Sequence, residues 1–312
     1  MNERVMQGMA CGALLVVGCS TNRDASEFFA PTEAGTLVVD GLMTVGRAFP
    51  NVTLSRALSP AAVYTREAAG ERGATLRIRS LATEQVFEYV ELADAGVYGP
   101  AASPPPVVEA RTTYELTVVT ASGASLRSTT TTPEPFAVAE WVLLDDLGQT
   151  VRRTFANYAT RGDSVYEDNR AVYADGLLEV RFTRPDVPAF QVGVFSLDPD
   201  SDFAIEPEFF EPEDFADIDR QGASPALEGR DGTLRLPWFA IFFQGRYKLK
   251  ILALDHNAFD FVRSIPPDNG GIAFGGNLGG RFERPIFHIE GGIGLFGSAS
   301  VDSVGLFVLP RP

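Results

Sequence analysis

The chain has 312 residues, with 26 Lys or Arg against 41 Asp or Glu and a formal net charge of −15. A surface this acidic repels nucleic acid and anionic lipid faces, which argues against a DNA or RNA partner. Two cysteines, 30 glycines, 21 prolines and 11% aromatic residues fit an extracytoplasmic β-protein held by its core and not by disulfides.

The N-terminus carries Arg4, an apolar stretch from Val5 to Val17 interrupted mainly by Gln7, and then Val16-Val17-Gly18-Cys19. That stretch is too short to span a bilayer as a helix. A positive start, an apolar middle and a small residue before a cysteine form the pattern of a lipoprotein signal peptide, here residues 1–18. Cys19 is then the lipidation site and the first residue of the mature chain. Cys11 lies in the discarded segment, so the mature chain can form no internal disulfide. Glu3 and Arg4 cancel, and the mature charge is unchanged. No second apolar run of about 18 residues follows, so the lipid is the expected membrane anchor. Ser20 stands where aspartate would suggest inner-membrane retention, which favours the outer membrane and leaves open which face the protein occupies.

After a polar tether over residues 19–34, short β-prone runs alternate with turn residues, the spacing of a β-sandwich. The expected strands are Thr36–Asp40, Val52–Ser55, Ala74–Arg79, Gln85–Val90, Thr113–Thr120 and Ser125–Thr130. Alternation is clearest in Thr75-Leu76-Arg77-Ile78-Arg79 and in Tyr114-Glu115-Leu116-Thr117-Val118, where every second side chain is apolar. Gly96-Val97-Tyr98-Gly99 followed by Pro104-Pro105-Pro106 reads as a turn into a polyproline crossing. Thr129–Pro135 reads as a linker, which puts a domain boundary near Pro133, so that a sandwich over 35–133 precedes a second β-rich domain over 134–312. Its expected strands are Val138–Leu144, Leu177–Thr183, Phe190–Leu197, Thr233–Leu236, Arg246–Leu254 and Val301–Leu309. One short helix is expected from Asn257 to about Ser264, because Phe259, Phe261 and Val262 make an apolar edge and Pro266-Pro267 stop it.

Leu37-Val38-Val39-Asp40-Gly41, Asn51-Val52-Thr53-Leu54-Ser55-Arg56, Gly73-Ala74, Gly96-Val97-Tyr98, Thr113-Tyr114-Glu115-Leu116-Thr117-Val118 and Thr132-Pro133 follow one another in a recognisable order. With the closing run Gly291-Gly292-Ile293-Gly294-Leu295-Phe296-Gly297-Ser298-Ala299-Ser300, they resemble a family of envelope lipoproteins catalogued as domain of unknown function four-two-four-nine. The resemblance covers nearly the whole mature chain, and the acidic stretch near Asp198–Asp219 departs from it. It implies an N-terminal fibronectin-like or prealbumin-like sandwich and an accessory role beside TonB-dependent outer-membrane transporters. It carries no catalytic residues over.

Four constellations remain. Asp198, Asp200, Asp202, Glu206, Glu208, Glu211, Glu213, Asp214, Asp217 and Asp219 hold no base among them. The spacing of Asp198, Asp200 and Asp202 opens a calcium loop, but Phe203 and Phe209 occupy the positions where an EF-hand needs glycine and a bidentate glutamate. A looser calcium site and a solvated loop are both open readings, and Phe203, Phe209, Phe210 and Phe215 would dock such a loop on the body or on a partner. Gly292-x-Gly294-x-x-Gly297 spells a dinucleotide fingerprint, but too little chain remains for the strand-helix unit and its acidic residue. Those glycines instead suit a bulged or tightly turned strand with Phe296 buried beneath it. Trp238, Phe239, Phe242, Phe243 and Tyr247 suit either a ligand-stacking platform or a core. His256 and His288 are the only histidines, so a serine triad or a zinc site would have to use them, and no Gly-x-Ser-x-Gly is present.

The expectation is a mainly β, outer-membrane-anchored lipoprotein with a binding or assembly role, not an enzyme, beside a TonB-dependent transporter. The alternatives are a free-standing glycan- or peptide-binding lipoprotein and a hydrolase using His256 or His288.

Overall fold

The computed structural model describes residues 34–59, 61–172, 176–204, 219–237, 241–264 and 285–310. The signal segment, Cys19, the tether and most of the acidic stretch therefore lie outside the described residues. The strands in chain order are β1 (Leu37–Thr44), β2 (Val52–Arg56), β3 (Thr75–Ser80), β4 (Val86–Glu91), β5 (Val97–Pro100), β6 (Thr113–Val119), β7 (Ser125–Thr131), β8 (Val138–Leu144) and β9 (Val151–Phe155). They continue with β10 (Arg170–Val172), β11 (Leu177–Phe182), β12 (Ala189–Ser196), β13 (Gln221–Ala223), β14 (Thr233–Pro237), β15 (Gly245–Leu254), β16 (Ile289–Glu290) and β17 (Gly292–Leu309). One-turn helices α1 (Arg66–Ala69), α2 (Tyr158–Arg161) and α3 (Val165–Asp168) precede the nine-residue α4 (His256–Ser264). The protein is mainly β, with the short helix where the Phe259/Val262 edge places it.

The large sheet runs β13-β12-β15-β17-β1-β2-β5-β4-β3-β6-β7-β16, with β10 also on β17, and a second sheet runs β14-β11-β8-β9. The first core forms where the large sheet closes over itself. Val39, Val52, Leu54 and Tyr98 from β1, β2 and β5 meet Leu76, Ile78, Leu116 and Leu126 from β3, β6 and β7. The second core lies between the two sheets, with Trp141, Val180 and Leu234 on one side and Val192, Ile251 and Leu306 on the other. Alternation produces these faces, since inward positions of β3 are Leu76 and Ile78 while Arg77 points out.

Strand β17 belongs to both halves. Its residues Gly292–Ala299 pair in parallel with Leu37–Thr44, and its residues Ala299–Val308 pair antiparallel with β15. Eighteen residues of extended chain span about 60 Å, so one strand is a common spine. The Gly96–Gly99 segment, expected as a turn, contributes β5, which pairs with both β2 and β4. Its cause is Tyr98, fully buried, with its hydroxyl donating to Glu71 O at 2.8 Å.

Both outer sheet faces are braced by an Arg-Glu-Arg ladder. Glu115 on β6 sits between Arg79 and Arg127, and Glu179 on β11 between Arg181 and Arg235. Burial raises each carboxyl's pKa, but the arginine hydrogen bonds outweigh it and hold both below the ordinary carboxylate value.

Candidate functional site

The two halves meet at the junction of β15 and α4, and the residue that organises it is Asp255. As N-cap of α4 it accepts the Ala258 N–H at 2.9 Å, which satisfies one of the helix's unpaired donors. The same Oδ1 accepts the Ser298 N–H from β17 at 3.0 Å, and Oδ2 accepts the Thr130 hydroxyl from β7 at 2.6 Å. Asn257, two residues on, donates to Thr129 O at 2.6 Å and Phe296 O at 2.8 Å. Four elements are thereby tied at one point. Asp255 is only 7% exposed, and burial raises its pKa despite these donors. Gly297 lets the helix lie this close, because a Cβ there would stand 3.1 Å from Ala258 N.

Beside this knot opens a cleft of about 450 Å³, lined among others by Arg111, Thr131, Glu134, Asp186 and His256. Arg111 is paired with Glu134 across its rim. His256 stands exposed on the first turn of α4 and makes no hydrogen bond to a described residue. The lining is thus mixed, with both charge signs beside Pro133, Val187, Pro188 and Leu254, suited to holding an amphipathic segment, and among the described residues it assembles no proton relay.

The second histidine has a different setting. His288 Nε2 lies 2.7 Å from Asp260 Oδ2, and Arg263 Nε donates to Asp260 Oδ1 at 2.7 Å. Burial pushes the Asp260 pKa up, but the hydrogen bonds from His288 and Arg263 prevail and hold it below the ordinary value. Among the described residues no serine or threonine hydroxyl hydrogen-bonds to either imidazole, and no three His, Cys, Asp or Glu side chains converge on a metal position.

The calcium candidates separate. Asp198 is a staple: it accepts the Arg246 N–H at 2.7 Å and receives Nε and Nη2 of the same arginine at 2.9 and 2.6 Å. Those bonds hold its pKa down. Asp200 and Asp202 are exposed, and only the Asp202 backbone carbonyl is engaged, by Gln244 N. The three carboxylates thus form no metal cage among the described residues. Phe203 docks the start of the acidic stretch on the body by stacking on Phe243 with centroids 4.9 Å apart.

In the aromatic cluster, Phe243 and Tyr247 are buried, and Phe242 packs against the same core. The Tyr247 hydroxyl accepts the Phe243 N–H at 2.8 Å, locking the turn into β15. These three form a core element, not an open stacking platform; Trp238 and Phe239 lie outside the described residues.

A family model described as "Domain of unknown function (DUF4249)" matches residues 26–304. The chain belongs to the DUF4249 family. No curated protein matches it. The match spans both halves of this DUF4249 protein, including the shared strand β17 up to Val304. No helix among the described residues is long and apolar enough to cross a membrane.

Sequence reasoning gave no role to Asp255, Thr130 or Ser298. The signal available for Asp255 was an aspartate three positions before Ala258 at the start of the expected helix, which is the N-cap spacing. Thr130 and Ser298 are 168 positions apart and carry no local signal.

Proposed function

We propose that this DUF4249 protein is a lipid-anchored scaffold of the outer membrane, with an assembly role beside a TonB-dependent transporter. The observation that carries this reading is the pairing of a lipobox at Cys19 with a body built on one continuous 18-residue strand. A short polar stretch leads from the anchor to β1, and β1 is hydrogen-bonded directly to that strand. The junction cleft, part apolar and part of mixed charge, supplies a place for a partner's loop. The accessory role itself rests on the resemblance of the family to lipoproteins that accompany such transporters.

The anchor is tested by Cys19→Ala. The variant is expected to leave the membrane fraction and appear in the soluble fraction, measured by ultracentrifugation and immunoblotting of lysed cells. Retention in the membrane at the wild-type level would overturn the lipid tether.

A further inference from the structure

Lys248 and Lys250 are the only two lysines in the chain. They stand two apart on β15, on the face turned away from the second core, alternating with buried Tyr247, Leu249 and Ile251. Both line a cavity of about 710 Å³ together with Arg47, which arrives from the loop after β1. The cavity is thus built from both halves of the molecule.

Three cations gather there against a single lining carboxylate, Asp302, and none of the three is ion-paired with it. Most described arginines pair with a carboxylate, whereas Arg47, Lys248 and Lys250 make no ion pair with a described residue. The acid in the lining, Asp302, is already used as an acceptor, by Val138 N at 2.8 Å, Ser303 N at 2.7 Å and Asn157 Nδ2 at 3.3 Å. The lysines are held by aromatic faces instead. Lys248 Nζ lies 3.8 Å from the Tyr158 ring centroid and Lys250 Nζ 4.5 Å from that of Phe195. Burial, then the neighbouring charges of Lys250 and Arg47, lower the Lys248 pKa and outweigh the opposing pull of Asp163. The three cations repel one another, and an anion bound among them would relieve that repulsion. Thr44, Thr160 and Ser303 add neutral hydroxyls to the lining.

We propose that the cavity ringed by Arg47, Lys248 and Lys250 is a binding site for a small oxyanion, the phosphate or carboxylate group of a solute or of a lipid headgroup. Two or three basic side chains converge on one anionic group, and the hydroxyls complete its hydrogen bonds. The site stands independently of the transporter reading.

The test uses the full chain carrying Cys19→Ala, so that its own lipid does not interfere. Titration calorimetry with inorganic phosphate and with succinate reports a free solute, and flotation with phosphatidylglycerol vesicles reports a headgroup. Saturable binding in either arm supports the site, and the arm that responds gives the source. Lys248→Gln with Lys250→Gln is expected to weaken binding about tenfold or more. Lys248→Arg with Lys250→Arg retains it, and Arg66→Gln, at an exposed pair with Asp94 far along the chain, leaves it unchanged. The Gln variant's circular dichroism should match the parent, since both lysines lie outside the cores. No binding in either arm, or binding equal in parent and Gln variant, would overturn the proposal.

Discussion

Gly294→Ala is expected to cost about 3 kcal/mol or more and to lower the urea midpoint accordingly, because two penalties fall on one residue. Gly294 has φ +109, where a side chain is strained, and a Cβ there would lie 2.1 Å from Val39 O. Gly294 is paired with Val39 inside the parallel β1–β17 ladder, and Val39 is fully buried. The clash cannot be relieved by a rotamer; one strand must move. Phe296, two residues on and buried in the first core, would move with it. Gly123→Ala separates the two penalties: it has φ +84 in the β6–β7 turn but nothing within 4 Å, so it should cost only about 1 kcal/mol. Equal midpoints for the two variants in urea unfolding followed by tryptophan fluorescence would refute the close approach of β17 to β1.

Asp255→Ala is expected to destabilise by about 3 kcal/mol, since it strips the cap from α4 and leaves the Ser298 N–H and the Thr130 hydroxyl without their acceptor. Asp255→Asn should cost far less. Its Oδ1 can still accept from Ala258 N and Ser298 N, while Nδ2 donates to Thr130 Oγ1. That hydroxyl then turns to Ser298 Oγ, 2.8 Å away, and Ser298 Oγ donates to Thr131 O at 3.2 Å. The sign of the pH effect follows from the raised Asp255 pKa. A carboxyl whose folded pKa lies above its unfolded value contributes stability below the unfolded value and loses it as pH rises through the folded one. The wild type should therefore gain on Asp255→Asn as pH falls from neutrality toward about 4. Urea midpoints of both proteins across that range check it, and a gap that widens in favour of Asn on acidification would contradict the buried carboxyl.

The strands were legible where alternation was strong. Ala74–Arg79, Thr113–Thr120 and Ser125–Thr130 coincide closely with β3, β6 and β7, because each must bury one face and wet or cover the other. The short strands β5, β9, β10 and β13 show no clear period of their own, and they are fixed by neighbours in the sheet. The glycine run from Gly291 reads as a bulged strand, and Phe296 is indeed buried, but its partner β1 lies about 250 positions away and no local pattern names it. The same holds for the site. The helix at Asn257 was visible from Phe259 and Val262, whereas the cleft beside it needs Arg111, Glu134 and Asp186, which only the tertiary fold brings near His256. The two lysines were countable from the outset; their meeting with Arg47 was not.

The central claim, an assembly role at the outer membrane, is tested most directly by recovering the tagged full-length protein from gently solubilised envelopes and identifying its companions by mass spectrometry. A large β-barrel transporter is expected in near-stoichiometric amount with the wild type and lost with the Cys19→Ala variant. Recovery of the protein alone from the membrane fraction would contradict it.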